Sequence, residues 1–402
     1  MKIEAKVIAL TNEVNTTDKV DDSHLFIYGG KAAGVCYMPE DYFDGKIQNE
    51  ATATKRAIGT CSSGHHSVFE HGSLSLQISG IPKIMAMLLN STEQYSTSEK
   101  SARYTVMRPE TQLENDIYDK WKIKFEQAIE EARPDIDAKT RSKLALENAR
   151  YMISVFTPTH MIWTTNYRQL AYVIDWLARL AVKCAELGGD FNRKLAESCD
   201  ELRNTFEELT TSYGYIHDNK DRDFEFLTYQ STGHSIEEVE YIGDVYQTTY
   251  LASFAQVAQL HRHRTIHYEI EFNGDATQFG VYVPPIIAGT DMEAEWKEDF
   301  EKVAYCYPQG TLVKVLEQGR AIKFFDKCKE RLCNRAQLEI MNNSKELMEK
   351  FIANKDKLSI RTQEALDKVA PNGKVVTKCM MCGIKCTEQC GNPGNKALNR
   401  SI

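Results

Sequence analysis

At 402 residues the chain is long for one domain and sufficient for two domains with a tail. Its hydrophobic content of 42% beside 26% charged residues excludes a disordered chain and points to a soluble globular one. The formal net charge of -8 excludes a general nucleic-acid binder, because neutralising phosphates requires a surplus of Lys and Arg.

No run of the sequence is apolar for long enough to cross a bilayer. The opening MKIEAKVIAL is interrupted by Glu4 and Lys6, and the alternation of Ile3, Ala5, Val7 and Ala9 predicts a strand, not a signal peptide. A cytoplasmic protein without membrane or nucleic-acid partners is expected. Further along, Leu74, Leu76 and Ile78 in FEHGSLSLQI predict a second strand. Pro82 then opens a helix whose apolar face is Ile81, Ile84, Met85, Leu88 and Leu89. Residues 115–156 predict two helices split by Pro134, and Asn166 to about Leu209 is strongly helical. Periodicity stops over 212–225, which marks a boundary.

Beyond it, VYQTTYLASFAQVAQLHRHR predicts a long helix with Tyr250, Phe254, Val257 and His261 on one stripe. The strand HYEIEF follows, then the helix MEAEWKEDFEKVAYCY and a long amphipathic helix from about Leu316 to Phe351. This order repeats that of the first part in shorter form. The expected fold is α+β: two related halves, residues 1–215 and 216–365, each packing helices on a mixed sheet, and a cysteine-rich tail over 366–402.

Five groups of residues could carry chemistry. Glu99, Ser101 and Arg103 in STSEKSARY would line one wall if that loop is extended, and Ser with Arg suits a phosphate. Gln259, Arg262, His263 and Arg264 gather positive charge at the end of an apolar helix, where an anion would be favoured. Arg331 lies in ERLCNRAQLEI, with Arg335 four residues on. Arg150 stands in ENARYMISVFTP, and Asn166 and Arg168 stand in TTNYRQL. Taken singly, each also reads as a solvated loop, a basic helix end, a structural ion pair or a helix cap. The tail offers Cys379, Cys382, Cys386 and Cys390, enough thiolates for a tetrahedral structural zinc and opened by a CxxC pair. The other seven cysteines (Cys36, Cys61, Cys184, Cys199, Cys306, Cys328 and Cys333) are scattered, without the density of a secreted disulfide framework.

The order of these elements resembles the flavin-dependent thymidylate synthases. In that family an FEH strand precedes a helix ending in RHR and a loop ExSxR; an EVAR…P…TxNxRSL segment and a helix with R…AQxEI follow. Here HHSVFEH, EKSARY, ENARYMISVFTP and TTNYRQL correspond in the first half, and AQLHRHR and RLCNRAQLEI in the second, so the resemblance spans roughly residues 1–345. The departures are complementary. Ser91, Thr92 and Glu93 stand where the first half should carry RHR, and Leu177 stands where its nucleotide-contacting Arg should be. The second half keeps RHR, but TIHYEIEF lacks ExSxR and the FEH histidine is replaced near Gly243.

The family places each nucleotide site between subunits of a homotetramer. The resemblance therefore implies a tandem duplication that keeps one composite site and has lost the reciprocal one. It implies dUMP contacts from Glu99, Ser101, Arg103 and Arg150 of the first half with Gln259, Arg262 and Arg331 of the second, and catalytic roles for Arg331 at the uracil ring and Ser101. It implies FAD contacts from His71, Asn166, Arg168, Arg262, His263 and Arg264. The implied reaction is reductive methylation of dUMP to dTMP with methylenetetrahydrofolate and NADPH, by a homodimer imitating the tetramer. A pyrimidine nucleotide hydroxymethylase, or a nucleotide-binding protein that has lost catalysis, are the alternatives. Family chemistry uses no cysteine nucleophile, which makes Cys36 and Cys61 structural. The sequence leaves open whether one chain or two complete a site.

Overall fold

The computed structural model describes residues 2–11, 22–35, 50–92, 94–209, 235–387, 390 and 394–402. Cys36, Glu93 and the boundary expected over 212–225 lie outside the described residues. The elements in chain order are β1 (Glu4–Leu10), α1 (Asp22–Gly34), α2 (Glu50–Ser62), β2 (Ser73–Pro82), α3 (Lys83–Leu89), β3 (Tyr95–Glu99), α4 (Gln112–Ala132), α5 (Ala138–Ala149), β4 (Pro158–Asn166), α6 (Tyr167–Leu187) and α7 (Asp190–Glu207). They continue with β5 (Glu240–Tyr241), β6 (Val245–Ser253), α8 (Phe254–Leu260), β7 (His267–Glu271), α9 (Asp291–Val303), β8 (Leu312–Arg320), α10 (Ala321–Arg331), α11 (Leu338–Ala353) and α12 (Ile360–Val369). No described helix is long and apolar enough to cross a membrane.

The chain divides into two compact units, Met1–Lys100 with Pro158–Phe224, and Ser101–Thr157 with Glu225–Ile402. Unit one is built on a four-stranded sheet in the order β1-β2-β4-β3. Thr159, Met161, Trp163 and Thr165 of β4 are buried on alternate positions, as a strand with one covered face requires. Leu76 pairs with Trp163 in register, and Trp163 stacks on Phe206 of α7 at 5.9 Å. Asn166 caps α6 by accepting a hydrogen bond from the Gln169 amide, and α6 ends at Gly188, whose φ of 67° is open to glycine at little cost.

Unit two carries a second four-stranded sheet, β5-β6-β8-β7, with the same order and the same antiparallel neighbours as the first. In both, a strand of nine or ten residues runs into a seven-residue helix, β2 into α3 and β6 into α8. The core of unit two joins Trp121 and Phe125 of α4 to Trp296 of α9, with Trp121 and Trp296 edge to face at 4.8 Å.

Mixed helix and sheet is as expected, but the sheets differ from expectation in being wholly antiparallel. The short helices α3 and α8 connect strands of like direction, β2 with β3 and β6 with β7, but an antiparallel strand (β4 or β8) lies between them. The long helix expected over VYQTTYLASFAQVAQLHRHR is the strand β6 followed by the short helix α8. Its β-branched and aromatic residues bury Tyr246 and Thr248 with period two, and this outweighed the partial helical stripe. The helix expected from Leu316 to Phe351 is instead β8, α10 and α11, and Val313 and Val315 are the buried alternation that was missed.

Candidate functional site

The densest group of candidate residues lies wholly within unit two. Ser101 and Arg103 follow β3 in a tight turn, so they are not two positions of an extended wall. The Ser101 carbonyl accepts from the Tyr104 and Thr105 amides at 3.2 and 3.1 Å, and its hydroxyl accepts from the Arg103 amide at 3.3 Å. Glu99, the last residue of β3, belongs to unit one, where its carboxylate takes the Lys83 ammonium at 2.5 Å.

Arg150 begins a single 3-10 turn after α5. That turn is tied down by Gly310, whose amide donates to the Tyr151 carbonyl at 2.7 Å. A Cβ on Gly310 would come within 2.8 Å of that oxygen, so only glycine permits the approach. Arg150 is 6% exposed, and among the described residues its Nε and Nη2 have no hydrogen-bond partner. One turn earlier on α5, Glu147 receives Arg103 Nε at 2.8 Å, while Arg103 Nη2 donates to the Arg335 carbonyl at 2.8 Å. Burial opposes the charge on Arg103, but Glu147 raises its pKa. A cavity of about 350 Å³ opens beside Arg103, bordered by Tyr104, Lys143, Glu147 and Arg400.

Gln259 sits in the last turn of α8 and Arg331 at the C-terminal end of α10. Arg331 Nε donates to His263 Nε2 at 2.7 Å, and its Nη2 to the Gln259 carbonyl at 3.3 Å. Burial, with the nearby positive charges of Arg103 and Arg262, lowers the Arg331 pKa to about 10. Four arginines of the expected nucleotide set therefore meet in one unit, and clustered like charge in a partly desolvated place favours an anion.

Four residues that motif reasoning passed over, Tyr151, Ser253, Gln337 and Glu339, hold this group in place. The Gln259 amide donates to Gln337 Oε1, and Gln337 Nε2 donates in turn to the Tyr151 hydroxyl and, at 3.2 Å, to Glu339. Glu339 also accepts from the Tyr151 hydroxyl at 3.0 Å and from the Ser253 amide and hydroxyl at 2.7 and 2.6 Å. Burial raises the Glu339 pKa, opposed by these donors. Ser253 caps α8, so this carboxylate ties the helix that carries Gln259 to the turn that carries Arg150. The signal was present in AQLEI, where a carboxylate stands within an apolar run.

Unit one gathers His71, Asn166 and Arg168 at one end of its sheet, where Ser73 pairs with Asn166. His71 is exposed, Asn166 donates to Gln94 Oε1 at 2.6 Å besides capping α6, and Arg168 pairs with Glu70 at 2.6 Å. Ser91 and Thr92 turn their hydroxyls onto the Leu88 and Leu89 carbonyls, and Leu177 is buried in the core. Arg264, after α8 in unit two, is exposed. In the tail, Cys379 Sγ meets the Thr377 hydroxyl at 3.2 Å and the Gly394 amide at 3.3 Å, and Cys382 is exposed. Among the described residues no group of three or more His, Cys, Asp or Glu is drawn together to hold a metal, so the four tail cysteines are not assembled as ligands.

Residues 29–181 match the family described as thymidylate synthase complementing protein. No curated protein matches the chain. Among solved structures, the chain is similar to a UMP/dUMP methylase PolB from Streptomyces cacaoi bound with 5-Br dUMP, at 17% identity over 52% of this chain and 91% of that one, with a TM-score of 0.31. It is also similar to Thymidylate Synthase X from Helicobacter pylori with FAD and dUMP, at 16% identity over 52% of this chain and 100% of that one, with a TM-score of 0.27.

Proposed function

Because residues 29–181 match the family described as thymidylate synthase complementing protein, we propose that the chain is a flavin-dependent enzyme that methylates dUMP to dTMP. The observation that carries this reading is Arg150: a guanidinium 6% exposed with two nitrogens lacking partners among the described residues is costly unless an anion answers it. Ser101, Arg103 and Arg150 would hold the nucleotide phosphate. Gln259 and Arg331 would contact the base, where Arg331 stabilises negative charge developing on the ring. Charge-assisted, forked hydrogen bonds suit both tasks.

FAD, when bound, supplies the hydride chemistry, with NADPH and methylenetetrahydrofolate as co-substrates. The donor set suits it, since the planar forks of Arg262 and Arg264 match a diphosphate. His71, Asn166 and Arg168 keep their flavin role as the family resemblance implies it.

The equal strand order of the two sheets supports descent from a tandem duplication, with residues 1–215 and 216–365 as its halves and 366–402 as the tail. Because the first half offers Ser91 and Thr92 where RHR would stand, we expect at most one FAD per chain. The visible absorbance spectrum of purified protein, quantified against chain concentration, tests this. A value near two removes the single-site reading, and a protein that neither binds FAD nor forms dTMP removes the function. We further expect a homodimer, since a duplicated chain supplies two subunits' worth of surface. The zinc reading of Cys379, Cys382, Cys386 and Cys390 rests on thiolate count and the CxxC pair. Elemental analysis of protein purified under reducing, chelator-free conditions decides it: one zinc per chain keeps the reading although the four thiols are not drawn together here, and none discards it.

A further inference from the structure

The bond between Arg331 and His263 constrains both partners. A guanidinium has no acceptor and stays protonated, so the proton in the 2.7 Å contact belongs to Arg331 Nε. His263 must therefore present the lone pair of Nε2, which makes it a neutral imidazole with its proton on Nδ1.

The surroundings favour that state. Lys327, one helical turn before Arg331 on α10, is fully buried and donates to both oxygens of Glu317 at 2.9 and 2.8 Å. Burial, with the charges of Arg331 and Lys327, lowers the His263 pKa to about 2. The far edge of Arg331 rests on Gln259, with Nη2 at 3.3 Å from the carbonyl and Nη1 at 3.5 Å from Oε1. Gln259 is itself fixed through Gln337. The guanidinium is thus gripped at Nε and along one edge, and this leaves little freedom to rotate.

We propose that His263 is a positioning residue for the nucleotide: its Nε2 lone pair fixes the plane in which Arg331 meets the base. The proposal rests on the functional reading above.

The test uses full-length, flavin-loaded protein with His263→Leu and His263→Gln. A glutamine carbonyl can replace the lost acceptor; leucine cannot. His263→Leu should weaken dUMP affinity, measured by calorimetry, by roughly tenfold or more, the size of one lost hydrogen bond to a charged group. FAD per chain and the thermal midpoint should stay at wild-type values. His263→Gln should recover most of the affinity. Unchanged dUMP affinity in His263→Leu, or loss of FAD with dUMP binding intact, overturns the proposal. Nitrogen-15 NMR of histidine-labelled wild-type protein gives a second reading that needs no variant: His263 should be the neutral Nδ1–H tautomer at neutral pH. A protonated ring or an Nε2–H tautomer overturns the proposal. If the wild type fails to bind dUMP, the functional reading itself falls, and that control distinguishes the two failures.

Discussion

Replacing Arg150 with Met should weaken dUMP binding by roughly 2–4 kcal/mol, about 30- to 1000-fold, while leaving the fold as stable as before or more so. The two effects have one cause. Arg150 is buried with Nε and Nη2 unanswered among the described residues, so in the free protein its charge is desolvated without full compensation. A methionine of similar length removes that cost and keeps the packing around the turn. The same replacement takes away the donors that a phosphate would meet. Calorimetry with dUMP and thermal unfolding of the free protein measure the two sides. A loss of stability with dUMP affinity unchanged would show that Arg150 is structural, and the nucleotide reading would lose its main support. Salt offers an internal control, because a site built from Arg103, Arg150, Arg262 and Arg331 should bind dUMP more weakly as ionic strength rises.

Lys327→Met should have the largest effect on stability, a loss of about 3–5 kcal/mol, because it strands a buried carboxylate. Lys327 and Glu317 are both 0% exposed, and the carboxylate already accepts from the Tyr246 and Tyr250 hydroxyls at 2.7 and 2.5 Å. Without the ammonium, Glu317 must either stay charged in an apolar core or take up a proton. Pairing Lys327→Met with Glu317→Gln should recover most of the loss, since a neutral amide can still accept from both tyrosines. Urea unfolding of the single and double variants measures the coupling. Equal losses in both would mean that the charge pair is not what the core depends on.

The sequence by itself determined the local grammar of this protein. The helices α4 and α5 on either side of Pro134, the strand HYEIEF and the cap at Asn166 follow from periodicity, proline placement and capping chemistry, all of which act over a few residues. The motif order, RHR at 262–264 and RAQLEI at 335–340, identified which residues to watch. Short apolar stretches defeated it. VYQTTYLAS and LVKVLEQGR became strands because each pairs with a partner distant in sequence, Ser253 with Leu312 at one end and Val245 with Arg320 at the other. Nine residues of mixed apolar character do not encode that pairing locally.

Tertiary structure alone decided that a single chain brings Ser101, Arg103 and Arg150 into the same compact unit as Gln259, Arg262 and Arg331, while Glu99 is left in the other with Lys83. The residues responsible are Gln337, Glu339 and Gly310, whose partners lie between 86 and 188 positions away among Ser253 and Tyr151. A buried carboxylate or a close backbone approach gains its meaning from what folding places against it. No window of sequence contains both sides of such a contact.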